Sequence, residues 1–142
     1  MTDFEHLDRV SNTIKESRYL DPDEDGTPLV FTRVRGCAVF ICRSLRRVER
    51  LEMQPPYHIV TEAIVDRSNV RYSRSEWLLR EDGNGGTIVS YILSFEPKFW
   101  VPPLIGPAII KRMLTQDGTK AVQKMERLAH LRDHPEDSSA AD

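Results

Sequence analysis

Phe99-Trp100-Val101-Pro102-Pro103-Leu104-Ile105-Gly106-Pro107 runs directly into Ala108-Ile109-Ile110-Lys111-Arg112-Met113-Leu114, and the chain changes character across it. Upstream, apolar residues alternate as in strands; downstream, they recur at helical spacing. Proline has a fixed φ and no N–H, so it cannot extend a central strand but fits the first turn of a helix. Pro102-Pro103 therefore ends the last strand, and Pro103 or Pro107 opens a helix. The expected architecture is α+β: a twisted antiparallel sheet with one long C-terminal helix laid across it.

That helix is expected to reach about Leu131. Ile110, Met113, Leu114, Ala121, Met125 and Leu128 fall on one face of it. Asp117-Gly118 interrupts the face. Glycine inside a helix costs about 1 kcal/mol relative to alanine, so a kink or break is expected near Gly118, where a ligand or another backbone would come close.

Working back toward the N-terminus, Thr87 to Glu96 reads as the last strand, with Val89, Tyr91, Leu93 and Phe95 on one face. Asp82-Gly83-Asn84-Gly85-Gly86 is a hairpin signal joining it to Val70 to Arg80. That strand puts Tyr72, Arg74, Glu76 and Leu78 on one face and Arg71, Ser73, Ser75, Trp77 and Leu79 on the other. Tyr57 to Val65 is a strand rich in β-branched residues, entered from the turn Gln54-Pro55-Pro56. Two strands share the run from Pro28 to Met53, with a bend or bulge expected at Gly36. Arg43, Arg46, Arg47 and Arg50 interleave with Glu49 and Glu52 there, which reads as a solvated face rather than a phosphate site. Thr13 to Leu20 is a further strand with Ile14 as its core candidate, and residues 3 to 10 suit a short helix presenting Phe4, Leu7 and Val10.

Composition narrows the function classes. A chain of 142 residues can bury one domain core. A formal net charge of −2 gives no overall basic field, so no nucleic-acid partner is expected. No apolar run reaches the roughly 20 residues that span a bilayer. The organisation expected is one domain over 1–132 and a polar, acidic, disordered tail over 133–142. Cys37 and Cys42 make no disulfide framework, so a reducing cytoplasm fits, with a peripheral position at the membrane as the option that the Phe99-Trp100 segment leaves open. Five residues apart on strands, they are expected on opposite faces as small core residues.

No nucleophile–base set is visible. Asp21, Asp23 and Asp25 precede Gly26, but position 32 is Thr32 where a calcium loop needs glutamate, so a solvated turn is expected and no metal. His6, His58, His130 and His134 show no ligand spacing. Arg74, Glu76 and Tyr72 share a face with His58 nearby. Lining a cavity, they would orient a polar ligand head or do acid–base chemistry; facing water, they are a cross-strand charge pattern, which is the expectation because Trp77 and Leu79 suit the inner side. Phe95, Phe99 and Trp100 are expected as core beneath the helix. The opposing reading makes Phe99-Trp100-Val101 a loop that touches a membrane interface, where tryptophan is favoured.

The run Phe99 to Pro107, Gly36-Cys37 with Phe40-Ile41-Cys42-Arg43, and Asp3-Phe4-Glu5-His6-Leu7 with Ser17 resemble the SRPBCC superfamily. This is the START-like, helix-grip group, and the resemblance is strongest to its coenzyme Q-binding or polyketide cyclase/dehydrase-like branch, over residues 3 to about 131. It implies a curved antiparallel sheet of about six strands gripping the long C-terminal helix around a cavity for a hydrophobic ligand. In that group the segment like Asp3 to Leu7 follows a first strand and a first helix. A chain lacking them would expose a sheet edge, so a homodimer through that edge, or marginal stability, is expected.

The function expected is binding or carriage of a hydrophobic small molecule or lipid, a quinone among the candidates, without catalysis and with no other cofactor. Phe95, Trp77, Leu79, Tyr91, Leu104, Ile110, Met113, Leu114 and Met125 would line the cavity. Phe99 and Trp100 would stand at its mouth or make transient contact with a membrane. The alternative is a polyketide cyclase or aromatase-like enzyme using the same cavity, marked by Tyr72, Arg74, Glu76 or His58 converging inside. A second alternative is a protein-interaction role like that of the ribosome-associating START-like toxin, which needs a basic patch that the charge balance does not favour.

Overall fold

The computed structural model describes residues 4–38, 41–54, 57–101, 103 and 106–133. A 3-10 turn, Phe4–His6, leads into the short helix α1, Leu7–Val10. Six strands follow: β1 Ile14–Leu20, β2 Leu29–Ala38, β3 Ile41–Gln54, β4 His58–Ala63, β5 Val70–Glu81 and β6 Thr87–Pro97. A 3-10 turn, Val65–Arg67, joins β4 to β5, and the chain closes with α2, Gly106–Asp133. The strands form a single antiparallel, curved sheet in sequence order.

Turn chemistry sets this meander. Gly83 and Gly85 take positive φ between β5 and β6, where the Asp82 carboxylate accepts from the Asn84 and Gly86 N–H groups. These bonds to the charged form hold the Asp82 carboxyl below its usual range. In the acidic turn, Gly26 also has positive φ, and Arg50 reaches across from β3 to pair with Asp23 and Asp25. The carboxylates are thus answered by a guanidinium, and no cluster fit for a metal occurs among the described residues.

Entry into α2 follows the proline logic, with Pro107 in the first turn and Pro103 ahead of it. Gly106 is required by space: a Cβ there would lie 2.2 Å from Val101 Cγ1. The helix runs unbroken through Gly118, whose Cβ position is open, so neither the expected break nor a close approach is found there. The neighbouring Asp117 is a tether instead. Its carboxylate accepts from Ser11 Oγ at 2.5 Å and Thr13 Oγ1 at 2.7 Å, while Lys124 Nζ donates to Asn12 Oδ1 at 3.0 Å. The helix is therefore pinned to the segment between α1 and β1.

Two further expectations are corrected. Gly36 is no bulge: β2 passes through it in register with Arg43, and the irregularities fall between Ile14 and Glu16 and between Val70 and Tyr72. Cys37 and Cys42 do not point to opposite faces. The chain reverses between Ala38 and Ile41, making them cross-strand partners with Cα atoms 4.0 Å apart and sulfurs bonded at 2.06 Å. Both are exposed rather than core. The ground for inferring a reducing compartment is thereby removed. No helix among the described residues is long and apolar enough to cross a membrane.

The main core lies on one sheet face under the N-terminal turn. The Phe4 ring packs on Val30, Leu51 and Ile59, with Leu7 and Trp77 at the margin. On β1 the buried residue is Ser17, not Ile14; its hydroxyl donates to the Phe4 carbonyl and fixes the turn.

Candidate functional site

Cross-strand register shows which side chains share the Phe4 face. Partners Ile59, Trp77 and Tyr91 form one row, Leu51, Thr61, Ser75 and Leu93 the next, and Ser73 pairs with Phe95. Thr32 and Arg47, then Val30 and Glu49, extend the face across β2 and β3. This covered face is not uniformly apolar. A polar belt crosses its centre, and Thr32, Glu49, Thr61, Ser73 and Ser75 are all buried.

Glu49 anchors the belt at 2% exposure. Its carboxylate accepts from Thr32 Oγ1 at 3.2 Å and Thr61 Oγ1 at 3.1 Å, with Arg47 Nη1 at 3.4 Å. Arg47 Nη1 also donates to Ser73 Oγ at 3.1 Å, while its buried Nε has no hydrogen-bond partner among the described residues. Thr61 and Ser75 hydroxyls lie 2.7 Å apart. Burying an ion pair is costly unless both members are hydrogen-bonded, and here the hydroxyls supply those bonds.

Tyr91 closes the belt toward β6. Its ring stacks on Trp77 with centroids 4.2 Å apart. The residue is 42% exposed, yet its hydroxyl end is enclosed, and burial pushes the phenol up from its ordinary value, partly opposed by the nearby Arg47 charge. Val89, Leu93 and Phe95, on the same face of β6, are only half-buried.

Sequence reasoning placed Trp77, Leu79, Tyr91 and Phe95 together, and the register does put them on this one face. Ile110 and Met125 are half-buried on α2, and Ala121 is buried. Leu104 and the side chains of Met113 and Leu114 lie outside the described residues. Phe99 is half-buried, but Trp100 is 77% exposed, so the core reading fails for it. Tyr72, Arg74, Glu76 and His58 sit on the opposite face, where Arg74 pairs with Glu76 at 2.9 Å and Glu62 at 3.2 Å. Arg74 holds the Glu76 carboxyl below its usual range, and His58 Nε2 stands 3.6 Å from Glu76. Missed entirely were Arg47 and Glu49, read as part of a solvated face. Their parity with Leu45 and Leu51 was the available signal.

A six-stranded antiparallel curved sheet with one long C-terminal helix defines a START-like, helix-grip fold. A START superfamily protein from Mycobacterium smegmatis superposes with a TM-score of 0.65 at 20% identity, covering 92% of this chain and 85% of that one. The protein TTHA0849 from Thermus thermophilus gives a TM-score of 0.63 at 13% identity, covering 88% and 81%. No protein-family model matches the sequence, and no curated protein does.

Proposed function

We propose that the chain binds a hydrophobic small molecule or lipid between the covered sheet face and α2. The observation that carries this is the β6 end of that face. Val89, Tyr91, Leu93 and Phe95 share the side on which Glu49 and Ser73 are buried, yet none of the four is fully buried. An apolar wall left partly open beside a few fixed polar groups is what a small-molecule site requires: burial supplies affinity and the polar groups orientation. The START-like neighbours are consistent with hydrophobic ligand binding in general.

Carriage without catalysis is favoured over a cyclase. The residues whose convergence would have marked an enzyme, Tyr72, Arg74, Glu76 and His58, face away from this site. A quinone stays among the candidate ligands. Trp100, exposed beside half-buried Phe99, supports transient contact of the segment preceding α2 with a membrane surface as the ligand is exchanged.

Native mass spectrometry of the chain purified from cells, with organic extraction of what accompanies it, tests this reading. A co-purifying lipid or other apolar molecule at about one per chain is the expected result. A chain that carries nothing and takes up no apolar molecule offered to it would overturn the reading.

A further inference from the structure

We propose that the end of the sheet next to Trp100 docks on the surface of an anionic bilayer through a cluster of basic side chains. This rests on the membrane contact read above from Trp100 and gives that contact a lipid class and an orientation. The net charge of −2 conceals a separation of charge along the strands. One end of the sheet carries the β1–β2 and β5–β6 turns, with Asp21, Asp23, Glu24, Asp25, Glu81 and Asp82. At the other end the β2–β3 reversal, the β4–β5 connection and the exit from β6 come together. There Arg35, Arg43, Arg46, Arg67 and Lys98 are all exposed. Asn69 ties these pieces into one surface. Its Oδ1 accepts from the Arg46 N–H at 2.7 Å, its Nδ2 donates to the Ser44 carbonyl at 2.9 Å, and its own carbonyl accepts from the Lys98 N–H at 3.2 Å.

Local pairing leaves this end positive. Arg33 meets Glu16 and Arg71 meets Glu96. Arg35, Arg43, Arg46 and Arg67 have no carboxylate partner among the described residues. Lys98 Nζ donates to the Val65 and Ser68 carbonyls, which carry no charge to offset its own. Arg33 and Arg46 are direct cross-strand partners, and Arg35 follows Arg33 on the same face. Like charges placed so cost stability, a cost that an anionic surface opposite them offsets. Trp100, two residues beyond Lys98 and 77% exposed, selects a bilayer among anionic surfaces, because indole is favoured at the membrane interface. The apolar ligand proposed above is also one that a bilayer supplies. The acidic turns are repelled by the same surface, so the molecule is oriented with Trp100 toward lipid.

The test is co-sedimentation of the full chain with vesicles of phosphatidylcholine alone and of phosphatidylcholine with about a third phosphatidylglycerol. Binding is expected to the anionic vesicles and not to the neutral ones, and it should fall away as salt is raised toward about 1 M. Each basic residue at the surface is worth about fivefold in affinity. Arg35→Gln with Arg46→Gln should therefore weaken binding roughly 25-fold. Arg80→Gln, an exposed change at the acidic end, should leave it unaltered. Trp100→Ala should weaken it as well. Equal binding to both vesicle types, or an Arg35→Gln/Arg46→Gln variant that binds as the parent does, would overturn the proposal. So would poly(U) RNA that displaces the chain from anionic vesicles at an equal phosphate concentration, which would make nucleic acid the better partner. Uptake of an apolar ligand in solution should be unchanged in the double variant. Retained uptake without vesicle selectivity sinks the docking surface alone. Vesicle selectivity without any uptake sinks the hydrophobic-ligand reading and leaves the docking surface standing.

Discussion

Arg47 and Glu49 alternate onto the same covered face of β3, with Nη1 of the arginine 3.4 Å from the glutamate carboxylate. Removing one partner of such a pair strands the other charge in an enclosed setting, which typically costs about 3–5 kcal/mol. Replacing both by apolar residues of similar volume is often nearly neutral. Arg47→Met and Glu49→Leu are therefore expected to be severely destabilising singly in urea titrations, while the double variant recovers most of the loss. Single variants no worse than surface substitutions would show that the pair is not buried as described.

Asp25 reports on the acidic turn. The Thr27 N–H and hydroxyl, with the Arg50 guanidinium, lower its carboxyl from 3.8 to about 2. The folded state thus binds fewer protons there than the unfolded chain. The resulting stability is complete above the unfolded value of 3.8 and is lost as pH falls through it toward about 2. The Tm difference between the parent chain and Asp25→Asn should shrink over that window. A difference that stays constant across it would refute the assignment.

The Cys37–Cys42 bond closes a short loop, with a sequence separation of 5. Chain-entropy reasoning gives about 2 kcal/mol for a loop of this size. Denaturation with and without reductant should differ by roughly that amount or less. Free thiols titrating without reductant in the native protein would contradict the bond.

At the far edge of the sheet, β6 pairs with β5 alone among the described residues. From Thr87 to Phe95 it carries no charged residue, and Ile88 and Ile92 are exposed. Charges are the usual protection of a free edge. We propose that a second copy pairs antiparallel along β6, a symmetric arrangement that gives both edges the same hydrogen bonds. Sedimentation velocity should show concentration-dependent dimers, reduced by Ile92→Lys. A monomer at all concentrations would contradict the proposal.

The strands were legible because β-branched alternation and the turn residues Asp82-Gly83 and Asp25-Gly26 agree with the final register. The helix was legible from the prolines and the spacing of Ile110, Ala121 and Met125. The β2–β3 reversal was not, since Ala38 to Ile41 contains no glycine, proline, asparagine or aspartate to mark it. Without that turn, Cys37 and Cys42 could not be seen as partners. The polar belt was hidden for a different reason. Charge at a core-parity position is read as solvent-facing unless a partner is known, and the partners of Glu49 come from β2, β3 and β4. Asp117 was noticed only for the glycine beside it, whereas its role depends on Ser11 and Thr13, more than a hundred residues away.

Photo-crosslinking with a diazirine-bearing fatty alcohol, followed by peptide mapping, tests ligand binding at the covered face most directly. Labels are expected on Trp77, Leu79, Tyr91 and Phe95, and an excess of unlabelled alcohol should suppress them. Labelling confined to Leu78, Ile88 and Ile92 on the opposite face, or labelling that competitor does not reduce, would contradict a ligand held between the sheet and α2.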